Sequence, residues 1–456
     1  MRFFGNSSPQ RAQAPSVVKT PSYPPWPRAD DRRRALGTST PNPVGRAGGE
    51  ASYTERVTPV RDEQPGEARS TGYMLLAGLT VGHLVNDFYT MVLPPLIPAL
   101  RQGFGLNYLE VGFLSFCFSI LSGLLQPSVG PVADAHGVRK RLVITGFLVF
   151  CAGFVAMSFA SSYGLLLVAT LFCGLGATTF HPQATNFLTR AFPRTRGWAM
   201  GIHGWGGSIG NFLAPLVVAF LASRVGWRQA VTWLVVPGLL TAVFLWGFLD
   251  EPARVDAAGA GSPITRDLVL VSVTFGFLAM VLRGFLTFLP TFLVERGTSL
   301  AQAGVFTSLM LLVGLVAQPL GGHVYDRVGG RAIFFVCSVG AGLGLVVFTA
   351  GSGALLLVGA ALVGFSVFAL FPVSLAMGSE IAKGGRVGVA VGVVFGVSGT
   401  MAAMTPVLTG LLADLLGLGL AFQSLTVLAV LAAALSVALP GRAMSAVPIV
   451  AGGRAP

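Results

Sequence analysis

The stretch QPSVGPVADAHGVR, residues 126–139, recurs as QPLGGHVYDRVGGR at residues 318–331. A shift of 192 residues lays Gln126, Pro127, Gly130, Asp134, Gly137 and Arg139 on Gln318, Pro319, Gly322, Asp326, Gly329 and Arg331, and with Val132 on Val324 makes seven identities in fourteen positions. Further pairs keep nearly the same offset: Pro98 with Pro290, Gly105 with Gly297, Gly112 with Gly304, Pro182 with Pro372 and Pro215 with Pro406. An internal repeat of this length means one structural unit used twice. Both copies end an apolar run and open a basic loop, so the two units lie the same way round. Parallel halves with a site between them are a transporter architecture.

Working outward from the repeat, apolar runs follow one another from Met74 to Leu439 almost without a gap. They lie near 74–100, 108–131, 141–160, 163–189, 197–222, 230–249, 267–294, 301–324, 332–350, 354–379, 387–413 and 420–439. A bilayer span takes roughly 20 mostly apolar residues. The runs are continuous and not alternating, so they read as helices and not as barrel strands. Glycine (60) and proline (28) sit within them, as close-packed helices in a bundle allow. The whole chain is 53% hydrophobic and 11% charged, with a mean hydropathy of +0.73, too little charge to cover a soluble domain. The fold expected is all-α and integral to the membrane: twelve transmembrane helices in two pseudo-symmetric six-helix bundles. The expected divisions are a tail at 1–72, bundles at 73–249 and 267–440, a cytoplasmic linker at 250–266 and a short tail at 441–456.

The net charge of +12 would suggest nucleic acid in a soluble protein, but its placement excludes that reading. Eleven of thirty Lys and Arg precede Tyr73, and fourteen fall in the C-terminal tail and the loops after even-numbered spans. The opposite loops hold four (Arg101, Arg224, Arg228 and Arg296), and Arg283 lies within a span. The positive-inside rule then predicts cytoplasmic termini and, for a bacterial chain, the inner membrane. Residues 1–72 are rich in Pro, Ser, Gly and Arg, too polar to bury a core, and are expected to be disordered. Cys117, Cys151, Cys173 and Cys337 all fall in spans without paired spacing, so neither a disulfide framework nor a metal site is expected.

The pattern Gly130-x-x-x-Asp134-x-x-Gly137-x-Arg139-Lys140 resembles the loop signature of the major facilitator superfamily, and Gly322…Asp326-Arg327…Gly329-Gly330-Arg331 resembles its second copy. One position departs: Ala135 stands where the family has Arg, whereas Arg327 keeps it, so the family's charge network would be lopsided. Within the superfamily, HLVNDFYTMVLPPLIP from His83, GLGATTFHPQATN from Gly174 and RGWAMGIHGWGGSIGNFLAPL from Arg196 are similar to the fosmidomycin-resistance type of drug exporter. The resemblance covers residues 74–440 and implies the major facilitator fold and secondary active transport by alternating access.

The loop motif has a physical role of its own. A carboxylate at Asp134 or Asp326 can cap a helix N-terminus or pair with a nearby arginine, with Arg196 and Arg386 as candidates. Such contacts can hold one face closed and break when the halves rock. The alternative is a plain topology loop; the duplicated acidic positions favour gating.

An ionisable group in mid-span costs roughly 2.5–3.5 kcal/mol on insertion scales, so each needs a reason. His83 and Asp87 share one face of the first span at i,i+4 spacing, beside Asn86. Arg283 lies in the equivalent seventh span, His181 in the fourth and His203 in the fifth. Asp87 and Arg283 carry fixed opposite charge and form either a neutralising structural pair or a functional pair. In the second case Asp87 takes a proton when its partner moves or when an anionic substrate claims Arg283. His83 either relays that proton or is a neutral ring bonded to Asp87 or Asn86. His181 precedes Pro182 and either serves the substrate path or satisfies a distorted helix; His203 either joins that path or packs through its ring. The glycines of the fifth span, Gly201, Gly204, Gly206, Gly207 and Gly210, allow close helix approach.

These readings favour a monomeric, proton-coupled exporter, an antiporter for a small drug-like or metabolite compound, with the lipid bilayer, protons and that compound as partners. An uptake permease for an organic anion and a transporter-derived sensor are the alternatives. The chain has no phosphate-cradling glycine loop with Lys-Ser/Thr and no clustered nucleophile and base, so neither ATP-driven pumping nor an enzyme is expected, and no cofactor.

Overall fold

The computed structural model describes residues 65–193, 195–251, 264–382 and 387–441, except the side chains of 65–71, 131, 134, 387 and 388. The tail before residue 65, most of the linker, Arg386 and the tail after Gly441 therefore lie outside the described residues, as does the side chain of Asp134.

Every regular element among the described residues is a helix. The first six spans are built from α1 (Pro65–Thr90), α2 (Leu93–Phe104), α3 (Tyr108–His136), α4 (Arg139–Ser158), α5 (Tyr163–Ala177), α6 (Phe180–Ala191), α7 (Arg196–Val225), α8 (Trp227–Trp233) and α9 (Val235–Phe248). The last six are α10 (Arg266–Glu295), α11 (Leu300–Leu312), α12 (Gly314–Val328), α13 (Gly330–Ala350), α14 (Ala354–Ile381), α15 (Val387–Leu416) and α16 (Leu418–Ser436). Eleven stretches among the described residues are long and apolar enough to cross a membrane, and they match the expected spans from Tyr108 onward within a few residues. The first expected span, 74–100, is two helices. It breaks at Met91 and Val92, where Pro94 and Pro95 enter the first turn of α2.

Two other breaks have the same cause. Pro182 cannot bond the carbonyl of Thr178, and the fourth span divides there into α5 and α6. Pro237 cannot bond the carbonyl of Trp233, and the sixth span divides at Leu234, whose own carbonyl accepts a hydrogen bond from the buried Tyr89 hydroxyl. A broken helix inside a membrane persists only where a neighbour satisfies the released groups.

The repeat is visible in the backbone. Gly105 and Gly297 both adopt positive φ (68° and 87°), and so do Gly137 and Gly329 (62° and 78°), conformations that glycine reaches without a Cβ penalty. Two residues after the first of these pairs, Asn107 and Ser299 open α3 and α11 with the same capping box, closed by Glu110 and Gln302.

The halves meet through equivalent pairs. Gly112 of α3 lies against the backbone of Pro406 in α15, and Gly304 of α11 lies against the backbone of Pro215 in α7, both too close to admit a Cβ. Farther along the same seam, Gly123 packs on Gly399 and Thr400. Small residues let backbones approach where hydrophobic burial offers no driving force.

Candidate functional site

The ionisable residues of the first six spans converge. His83 and Asp87 meet along α1, with Nε2 3.4 Å from Oδ2. His181, from the first turn of α6, brings its Nε2 to 3.3 Å from the other carboxylate oxygen, Oδ1. Asn86 donates through Nδ2 to Asp87 Oδ1 (3.0 Å) and lies 3.2 Å from His181 Nε2. Asn211 of α7 donates to Asp87 Oδ2 at 3.2 Å. His203, also on α7, stacks on His83 with ring centroids 4.2 Å apart, and its carbonyl lies 2.7 Å from His83 Nδ1. Phe180 closes the aromatic wall against His83 and His203.

Hydrogen-bond chemistry assigns the protons. A carbonyl oxygen only accepts, so His83 Nδ1 carries the hydrogen in its contact with His203. A neutral His83 would then turn the bare lone pair of Nε2 toward Asp87. His181 Nε2 faces the same carboxylate while accepting from Asn86. Two ring nitrogens and a carboxylate thus point at one small space, which a cation between His83 and Asp87 would neutralise. His83, Asp87 and His181 offer ligand-type atoms that all lie within 4.8 Å of one another, although no metal site was expected from the sequence.

Glycine makes the room. A Cβ on Gly207 would come within 2.7 Å of Asp87 Oδ2 and close against the His83 ring, while Gly206 and Gly210 lie on the carbonyls of Thr80 and Leu84. Gly206, Gly207 and Gly210 are therefore at close helix approaches, as expected, and Gly207 is also part of the site wall. Gly201 and Gly204 face nothing within 4 Å.

Arg283 stands apart from this cluster. Its side chain is half-buried, and among the described residues its guanidinium makes no hydrogen bond or ion pair. The direct Asp87–Arg283 pair weighed from the sequence is not formed: both oxygens of Asp87 are taken by His83, His181, Asn86 and Asn211 of its own half. Nor does His181 serve the broken helix beside Pro182; its nitrogen is turned to Asp87.

The loop motifs hold helix ends within each half. Arg139 is buried and donates to Gln183 Oε1 at 2.6 Å, while its backbone N–H and that of Lys140 donate to the Glu251 carboxylate, which caps α4. Arg331 donates through Nε and Nη2 to the carbonyl of Leu439 (2.9 and 2.7 Å), closing the end of the last span. Arg196 donates to the Pro193 carbonyl and so caps its own loop. Gly130 and Gly322 each have open space where a Cβ would stand, and Asp326 and Arg327 are exposed.

Sequence reasoning missed Asn211 and a clasp at the opposite end of the molecule. There Arg101 of α2 pairs with Glu295 of α10, which also accepts from the Tyr108 hydroxyl (2.5 Å). Arg101 covers the Tyr108 ring at 3.7 Å. Asp414 of α15 accepts from the backbone N–H groups of Tyr108 and Leu109 (2.9 and 2.8 Å), capping α3 across the seam. The available signal was acidic residues at the far ends of the seventh and eleventh spans. Asn211 was detectable by its spacing, four residues from Gly207 and eight from His203.

Paired helical halves, backbone-close glycines and a polar cluster within the bilayer define a polytopic membrane protein of the transporter class. The chain belongs to the Major Facilitator Superfamily, whose family model matches residues 79–314 and 271–449. It is 26% identical over 365 residues to the fosmidomycin resistance protein of Escherichia coli (strain K12), covering 75% of this chain and 87% of that one. It is 28% identical over 283 residues to a probable sulfoacetate transporter of Cupriavidus necator, covering 57% and 66%. Among solved structures, it resembles a bacterial homolog of the human lysosomal transporter Spinster in an inward-facing, occupied conformation, with a TM-score of 0.71 at 18% identity over 83% of this chain and 97% of that one.

Proposed function

We propose that this chain is a proton-coupled antiporter that exports a small anionic compound by alternating access. The observation that carries the reading is the guanidinium of Arg283, half-buried in a span and without a partner among the described residues, while Asp87 is engaged in the other half. A lone intramembrane cation is costly, and an anionic substrate offsets that cost when it binds. The sulfoacetate of one relative is such an anion, and likeness to a drug-resistance protein favours export.

In this reading the bodies 73–249 and 267–440 rock about the seam, with 250–266 and both termini on the cytoplasmic side of the inner membrane. The clasp of Arg101, Tyr108, Glu295 and Asp414 holds the outer end closed. The proton resides between His83 Nε2 and Asp87 Oδ2, and opening of the clasp moves the α1 wall relative to Arg283. The loop residues Gly130, Asp134, Gly137, Arg139, Arg196, Gly322, Asp326, Arg327, Gly329, Arg331 and Arg386 set the inner gate. Flux in proteoliposomes tests the assignment. Arg283→Ala is expected to weaken transport of anionic substrates at least tenfold more than neutral ones, and equal loss for both overturns it.

A further inference from the structure

We propose that His83, Asp87 and His181 form a binding site for one divalent transition-metal ion of the zinc type, held between the first and fourth spans. Two imidazole nitrogens and a carboxylate are a donor set that such ions favour and that magnesium does not. The spacing fits as well. Ligands at about 2.0–2.1 Å from a tetrahedral ion stand about 3.3 Å from each other. His83 Nε2 lies 3.4 Å and His181 Nε2 3.3 Å from the Asp87 carboxylate. All three ligand atoms fall within 4.8 Å of one another, and metal binding would turn the His181 ring so that its Nε2 lone pair leaves Asn86 and closes the remaining edge.

The surrounding groups are arranged as a metal site needs them. His83 donates its other ring nitrogen to the His203 carbonyl, which fixes the tautomer that leaves Nε2 bare for the ion. Asn86 and Asn211 hold the carboxylate by one amide hydrogen bond each, and Asn211 Oδ1 is buried without a partner. That oxygen can accept from a water in the fourth coordination position. Entry is through His181, whose side chain is 38% exposed, against 12% for His83 and 15% for Asp87. The inference uses the residues of the proton site proposed above, but its measurement is equilibrium binding and does not depend on transport.

Calorimetric titration of the tag-free full chain in nanodiscs with zinc chloride tests it. One ion per chain is expected, unaffected by millimolar magnesium, with affinity falling at least about 10- to 100-fold in His181→Ala and in Asp87→Asn, the range lost even on removal of a supporting residue. X-ray absorption on the unmutated zinc-loaded protein guards against variants that fold poorly, and should give nitrogen and oxygen ligands at about 2.0–2.1 Å with no sulfur. Zinc binding that is absent, that survives unchanged in His181→Ala, that magnesium displaces, or that shows sulfur ligands overturns the proposal.

Discussion

The Nδ1 nitrogen of His83 donates to the carbonyl of His203 across 2.7 Å, tying α1 to α7 and deciding which nitrogen His83 turns to Asp87. His83→Phe keeps the ring that stacks on His203 and removes both nitrogens. Its cost in stability is expected to be about 2–4 kcal/mol, from one ordinary hydrogen bond to the His203 carbonyl and one to the Asp87 carboxylate, while the stack survives. Flux driven by a pH gradient should nevertheless disappear. The comparison to make is thermal melting against gradient-driven uptake in proteoliposomes, and retained gradient-driven flux would remove His83 from the proton path.

Asp87→Asn removes the acid of the cluster while keeping its shape and one of the two hydrogen bonds that it accepts, from Asn86 or from Asn211, because an amide has a single acceptor oxygen. The variant should insert and bind substrate, and exchange labelled substrate at equal pH on both sides. It should not concentrate substrate against a pH gradient. Full gradient-driven accumulation by this variant would falsify the proton assignment.

Gly207 and Gly201 separate the site from the packing. A methyl on Gly207 meets Asp87 and His83, whereas one on Gly201 meets nothing within 4 Å. Gly207→Ala is expected to cost about 1–3 kcal/mol through overpacking and to abolish coupled transport. Gly201→Ala should be silent in both. Equal behaviour of the two variants would show that the close approach at Gly207 has no bearing on the cluster.

Much of this architecture was legible in the sequence, for stated physical reasons. Lipid leaves only helices for a chain that spans it many times, so apolar runs gave the spans and the repeated Gln-Pro-Gly-Asp loop gave the symmetry. The contacts between Gly112 and Pro406 and between Gly304 and Pro215 follow from residues already paired by the repeat. Of the partners of the charged groups, His83 followed from its i,i+4 spacing to Asp87, but the others did not. Asp87 and Arg283 occupy equivalent spans, which made a direct pair attractive, but the approach of His181 and Asn211 to Asp87 depends on helix rotation and on the break before Pro182. Neither is written in a hydropathy pattern. The roles of Arg139 and Arg331 were hidden for a related reason: Gln183 and the Leu439 carbonyl become neighbours only when the helices assemble.

The clasp of Arg101, Tyr108, Glu295 and Asp414, at the end proposed to face outward, gives a prediction about populations. Arg101 and Glu295 form an exposed ion pair between the halves, and exposed pairs are worth about 0.2–1 kcal/mol, roughly a 1.5- to 5-fold change in an equilibrium. Asp414 does more, since its carboxylate caps α3 from across the seam, and loss of such a cap costs about 0.5–2 kcal/mol. Each contact exists only while the outer ends of the halves meet, so its loss should disfavour that arrangement without unfolding either half. Glu295→Gln alone is expected to raise the outward-open fraction modestly, and Glu295→Gln with Asp414→Asn several-fold further. Distances between spin labels on the outer ends of α2 and α10 report that fraction directly. The effect of Glu295→Gln should also shrink as salt rises from 0.05 to 0.5 M (about threefold in screening length), because an exposed pair is screened whereas a backbone cap is less so. A double variant with the same distance distribution as the parent at both salt concentrations would mean that the glycine seam alone, and not the charged clasp, holds the outer end shut.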